Sequence, residues 1–245
     1  MVDVLVPAPA RPVQHAPVEI RAGGSAVNAA RAAVSLGRSA TVVGCVGDDG
    51  LADLVRRELG EEGIEARLGV APGLRTGRVV VVGGAIVAER GANAGFTATH
   101  VGELSAPVVL ISGYQLFRDD SGDGAAAALD ADGLVAVDLG SAQLVRSYGA
   151  ERALALARRA GVVIGNDDAV AALGDPGGPL VVETLGAAGA RARGTTVEPP
   201  RVLERSLFGA GDAFAAAFLL AFADGRPLAD CLTAGCRTAV DLAAL

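Results

Sequence analysis

Along most of the chain, short runs rich in Val and Ile alternate with Ala-rich stretches. The runs TVVGCV (41–46), APVVLISG (106–113), GLVAVDLG (133–140), GVVIGN (161–166) and PLVVETLG (179–186) each end near Gly, Asp or Asn. That pattern predicts buried strands of a parallel sheet. Between them, AVNAARAAVSLG (26–37), LADLVRRELGEEG (51–63), GDGAAAALDADG (122–133) and AERALALARRAG (150–161) can each bury an apolar stripe at helical spacing. Gly37, Gly63, Gly133 and Gly161 fall where those helices would stop. The alternation predicts an α/β architecture with a mainly parallel sheet.

One segment interrupts it. Residues 64–90, IEARLGVAPGLRTGRVVVVGGAIVAER, hold strand-like runs and glycines but no helix signal. They predict a small β lid or flap projecting from a core made of residues 1–63 and 91–245. Such an excursion covers a ligand or merely adds edge strands, and periodicity favours neither.

With 51% apolar residues in 245, the chain can build one large core. No apolar run approaches the roughly 20 residues that cross a bilayer. Pro7, Pro9 and Pro12 interrupt the N-terminal apolar stretch, so no cleavable signal is expected. A net charge of -7 argues against nonspecific binding to nucleic acid or an anionic membrane. It leaves open a phosphate pocket built from backbone amides. Cys45, Cys231 and Cys236 form no CxxC pair, which points to buried thiols in a reduced, cytoplasmic setting. His15 and His100 are the only histidines and neither lies near a cysteine in sequence, so no metal centre is assigned.

Two glycine-rich clusters carry candidate chemistry. In AGGSAVNAARAAVSLG (22–37), Gly23 and Gly24 permit close backbone approach, and Asn28 opens a helix with an amide able to meet a hydroxylated ligand. Alone, this is equally a turn and a cap. In SLFGAGDAFAAAF (206–218), Gly209, Ala210 and Gly211 leave their N–H groups bare at the positive end of a helix predicted over 210–223. Asp212 in its first turn is then either a helix cap or a general base. A base beside an anion hole is what phosphoryl transfer to an alcohol requires. No GxxxxGK[ST] occurs, and no GxGxxG follows a strand, which disfavours a Walker-type or dinucleotide site.

Together these clusters resemble the signatures of the ribokinase-like carbohydrate kinases, also called the phosphofructokinase B family. Gly23, Gly24, Ala26, Asn28, Ala30, Gly37 and Gly47 fit the first signature, and Gly209 to Asp212 fit the second. TGRVVVV, ERGANAGFT, ISGYQLF, VDLGS, GNDDAVAALG and ETLGAAGA follow in the family's order over nearly the whole chain. The resemblance implies a three-layer α/β/α core with a mainly parallel central sheet and a small β-strand lid. It makes Asp212 the catalytic base and Gly209, Ala210 and Gly211 the anion hole. Asp3, Gly24, Asn28 and Asn93 would contact the sugar. Asn166, Thr184, Gly186 and Gly189 would line the ATP side, with Mg²⁺ accompanying the nucleotide. Lids of this family often pair, which implies a homodimer through the β lid.

The departures are specific. Ser206-Leu207-Phe208 stands where the family usually carries an acid, which puts a monovalent-cation site in doubt. Asn166-Asp167-Asp168-Ala169 lacks the Glu of an Asn-x-x-Glu motif. The family's first strand ordinarily precedes the match to Asp3, whereas Met1 and Val2 alone precede it here, so a central strand is expected to be missing. The leading expectation is an ATP-dependent kinase of a small carbohydrate. A nucleoside kinase of the same family is an alternative that the 3% aromatic content disfavours mildly. A catalytically weak relative that binds sugar or nucleotide is the other.

Overall fold

The computed structural model describes residues 1–6, 15, 17–82, 85–201 and 208–242. The first half of the chain runs β1 (Val2–Val6), β2 (Glu19–Ala22), α1 (Ser25–Ser35), β3 (Thr41–Val46), α2 (Gly50–Glu61), β4 (Glu65–Val70), β5 (Arg78–Val82) and β6 (Ala85–Glu89). Next come α3 (Ala98–Val101), β7 (Ser105–Ser112), α4 (Gly113–Leu116), α5 (Gly122–Ala126), β8 (Asp132–Asp138), α6 (Ala142–Tyr148) and α7 (Ala150–Ala157). The chain continues through β9 (Val162–Asn166), α8 (Asp167–Leu173), β10 (Leu180–Thr184), β11 (Ala190–Ala192), β12 (Thr195–Val197), α9 (Ala210–Ala223) and α10 (Leu228–Leu242).

A six-stranded sheet of order β12-β11-β10-β9-β8-β7 forms the centre. Strands β7 to β10 run parallel, and β11 and β12 add antiparallel edges. Alternation along each strand sorts its residues between two helical layers. Val135, Val137 and Val163 pack with Leu144, Val145, Ala153, Ala157 and Leu173 of α6 to α8. Ala136, Val162, Ile164 and Val182 pack with Phe214, Phe218 and Leu219 of α9 and with Leu232 of α10. Both faces are covered, which explains why these strands read as continuous apolar runs. Helix α9 is buried almost all round, and Phe214, Phe218 and Phe222 stack along it at centroid spacings of 6.0 and 5.8 Å.

The segment 64–90 does not form a unit by itself. Helix α2 is a crossover between β3 and β4, which pair in parallel from Thr41↔Glu65 to Val46↔Val70. Residues 65–70 therefore belong with β3. Strands β5 and β6 form an antiparallel hairpin, but its neighbours come from the N-terminus, in a sheet of order β2-β1-β5-β6. The small sheet thus comprises 2–6, 19–22, 78–82 and 85–89 rather than 64–90. Residues 2–6 pair with β2 and β5, so they take no place in the central sheet. Among the described residues no strand joins β3 to β7. The walls of a cavity of about 1220 Å³ include residues of both strands.

Two polar straps anchor the small sheet. Asp49 caps α2 and accepts from the Thr76 N–H at 2.9 Å, while the Thr76 hydroxyl accepts from the Gly47 N–H at 3.0 Å. At the other end, Arg90 donates to Asp120, Ser121, Gln115 and the Asn93 carbonyl.

Candidate active site

Helices α1 and α9 pack together and bring their N-termini to one cavity. Gly24 caps α1 with φ 90°, and Gly209 caps α9 with φ 86°, a conformation favourable to glycine alone among common residues. The Ala213 N–H donates to the Gly209 carbonyl at 3.0 Å. The amides of Ala210, Gly211 and Asp212 precede that first helical bond, which leaves them to an outside acceptor. Gly209 and Gly211 lie in the cavity wall.

Asp212 is not the cap of its helix. Its Oδ2 accepts from Asn28 Nδ2 at 2.9 Å, a bond that ties the two glycine-rich clusters across 184 positions. A Cβ at Gly209 would press on the Asn28 side chain at 3.2 Å, so the glycine also makes room for that bond. The partly buried Asp212 carboxyl lies in the cavity wall, and its pKa is pushed to about 7, through desolvation first and the charge of Asp138 second. Hydrogen bonds from Asn28 and Ser25 oppose the rise. Asp138, at the C-terminal end of β8, is pushed to about 6 by desolvation, against one bond from the Gly140 N–H at 3.2 Å.

Asp3 lies beneath the first cluster. Its carboxyl is fully buried, and Oδ2 accepts from the Gly24 N–H at 3.4 Å. A Cβ at Gly23 would overlap that carboxylate, which accounts for the glycine pair. Among the described side chains, Asp3 Oδ1 is a buried acceptor with no hydrogen-bond partner. Burial raises the Asp3 pKa.

The other expected residues separate into two groups. Asn93 reaches the cavity wall, with Nδ2 donating to the Arg90 carbonyl at 2.9 Å and its own carbonyl accepting from Gln115 Nε2 at 2.9 Å. Asn166 and Thr184 also lie in the wall. Asn166 caps α8, its Oδ1 accepting from the Ala169 N–H at 2.8 Å. Gly186 and Gly189 form the turn between β10 and β11, with φ 57° and 92°; they are not among the residues that line the cavity, although Thr184 just before them is. Ser206 and Leu207 lie outside the described residues, and Phe208 is in the wall. Among the described residues no cluster of three or more Asp, Glu, His or Cys forms a cation cage. A magnesium ion carried by nucleotide phosphates needs no such cage, because Mg²⁺ keeps several waters and is held by substrate phosphates with one or two carboxylates.

Tyr114, Asp138 and Gly140 also line the cavity and were not singled out from the sequence. Their signal was positional. In a parallel sheet, ligands gather at the C-terminal ends of the strands, where Asp138 closes β8 and Tyr114 follows β7.

The signature of the pfkB family carbohydrate kinases matches residues 2–133 and 142–240. The chain belongs to this family. The pfkB fold is equally evident in solved structures. An adenosine kinase from Sinorhizobium meliloti superposes with a TM-score of 0.80 at 22% identity, over 100% of this chain and 91% of that one. A probable sugar kinase from Rhizobium etli gives 0.85 at 20% identity, over 100% and 90%. A putative ribokinase II from E. coli, in complex with ATP and Mg²⁺, gives 0.79 at 19% identity, over 94% and 86%. No curated protein sequence matches the chain significantly. Among the described residues no helix is long and apolar enough to cross a membrane.

Proposed function

We propose that this pfkB kinase transfers the γ-phosphoryl group of ATP to a hydroxyl of a small carbohydrate, with Asp212 as general base. The observation that carries the reading is the Asn28–Asp212 hydrogen bond of 2.9 Å at the mouth of α9. It aims a carboxylate of raised pKa at the space served by the free amides of Ala210 and Gly211. An acceptor hydroxyl there would give its proton to Asp212 as its oxygen attacks the γ-phosphorus, and the bond from phosphorus to the bridging oxygen of ADP would break. The helix N-terminus stabilises charge on the transferred group, and fixed geometry supplies much of the remaining acceleration. Mg²⁺, when bound with ATP, neutralises phosphate charge. Gly24 and Asn28 face the sugar, supported by Asp3 behind Gly23. Asn93 approaches it from the base of the small sheet. Asn166 and Thr184 face the nucleotide, with Gly186 and Gly189 shaping the turn beyond it.

Release of ADP from Mg-ATP across pentoses, hexoses, sugar acids and nucleosides tests the reading. Sugar-dependent release is expected from the wild type. Binding without release from the folded protein would replace the reading with that of a non-catalytic sugar binder.

The outer face of the small sheet supports a dimer. Ile20, Val4, Val80 and Val87 lie in one row across four strands, with Ile20 53% and Val87 71% exposed. On the same face Arg78 pairs with Glu89, a patch of both signs that a two-fold axis can match to itself. Light scattering should give twice the chain mass, falling to one chain mass in Val87→Lys. A monomeric wild type would remove this proposal.

A further inference from the structure

We propose that Tyr114 is the platform on which the sugar ring of the acceptor lies, and that it is a specificity-determining residue of this kinase. The term acceptor rests on the phosphoryl-transfer reading above; the placement of the ring does not.

The chain has two tyrosines and no tryptophan. Tyr148 is accounted for by packing, at 5.6 Å from the Phe117 ring and with the Arg152 guanidinium 4.1 Å from its centroid. Phe96, also in the cavity wall, is buried and stacked on His100 at 5.5 Å. Tyr114 differs from both. It lines the cavity yet stays 48% exposed, a large amphipathic ring held beside water inside a concave site.

Its position is built rather than incidental. At Gly113 a Cβ would lie 2.6 Å from the Asp138 carbonyl, so glycine lets the turn after β7 press against the end of β8. At Gly140, φ is 72°, and a Cβ would stand 2.9 Å from the Tyr114 ring. The ring therefore rests on bare peptide at Gly140, and its remaining surface opens into the cavity. Arg118 Nε donates to the Tyr114 carbonyl at 3.3 Å. The next residue, Gln115, donates to the Asn93 carbonyl at 2.9 Å and so fixes the turn to the base of the small sheet.

The surroundings suit a hydroxylated ring. Desolvation of the phenol end raises its pKa first, the carboxylates of Asp138 and Asp212 add to the rise, and Ser141 and Arg118 oppose it. A hydroxyl within reach of Asp212 brings with it the ring that bears it. An aromatic face offers such a ring the apolar C–H surface that polar groups cannot serve, and the phenol end remains available for hydrogen bonding.

The experiment joins kinetics to fluorescence. With D-ribose, D-fructose and adenosine as acceptors, Tyr114→Ala should raise the acceptor KM by about tenfold, the equivalent of one aromatic contact. The KM for ATP and kcat should move by less than about threefold, and Tyr114→Phe should restore the acceptor KM. Tyr148→Phe leaves Tyr114 as the only tyrosine, so its emission reports the same compounds without turnover. A ligand-dependent change in that emission is expected. An unchanged acceptor KM in Tyr114→Ala, with turnover intact in the wild type, would overturn the proposal. A rise confined to adenosine would also overturn it, because the ring would then serve the base. Emission that responds to a sugar in a protein lacking turnover would refute the kinase reading and leave the platform standing. Neither turnover nor emission change with any of the three would overturn both.

Discussion

As the proposed base, Asp212 would meet opposite demands from folding and from catalysis. Burial lifts its pKa from 3.8 to about 7, so the folded state holds a proton that the unfolded chain would release above pH 4. The stability associated with the protonated carboxyl is complete below the unfolded value and is lost as pH rises through about 7. Asp138, raised to about 6, acts in the same direction. Asp212→Asn, which cannot ionise, should therefore gain in melting temperature over the wild type as pH is raised from 5.5 to 8.5. Equal offsets at both pH values would contradict the raised pKa. The proposed base must be ionised to act, so kcat/KM should climb through pH 7 and not level off near pH 5 as it would with an ordinary carboxylate. The place of this residue in the first turn of a helix was legible in the sequence, because Gly-Ala-Gly precedes it at a helix start. Its link to Asn28 was not, since a bond across 184 positions leaves no local trace.

At the level of elements, α9 and α10 carry one side of the core. Phe218 is fully buried and Phe214 packs against Gly235, where a Cβ would come within 2.6 Å of the ring. Phe218→Ala should lower the unfolding free energy by about 3–5 kcal/mol through lost burial and a cavity. Gly235→Ala should lower it by about 1–3 kcal/mol through overpacking. Urea denaturation measures both, and a neutral Gly235→Ala would mean that the two helices can separate freely. Strand β9 is paired on both sides, whereas β3 and β7 have one edge each on the cavity. Amide exchange should accordingly be slower in 162–166 than in 41–46. The five long apolar runs were each read as strands because burial on both faces leaves a continuous signal. The β3–β4 pairing and the N-terminal half of the small sheet escaped because partner choice between distant strands is not encoded by the period of either one. Helix α10 escaped as well, its Leu, Cys and Val positions being diluted by Thr, Gly and Asp.

The whole molecule places two helix N-termini, the Asp138 and Asp212 carboxyls and the open Tyr114 ring around one cavity, beneath a small sheet tied down at both ends. The order of motifs along the chain gave away this α/β arrangement, because parallel strands with helical crossovers put their loops at one end. The extent of the small sheet was hidden, since half of it comes from residues 2–22. The central claim is that Asp212 drives phosphoryl transfer to an acceptor hydroxyl. Its most direct test follows the γ-phosphate of labelled Mg-ATP into the compound that best stimulates ADP release, in the wild type and in Asp212→Asn. The account predicts a labelled phosphoester from the wild type and a loss of about 10²–10⁴-fold in its rate of formation in the variant, the range typical of a general base. Label transferred equally fast by folded Asp212→Asn would contradict it.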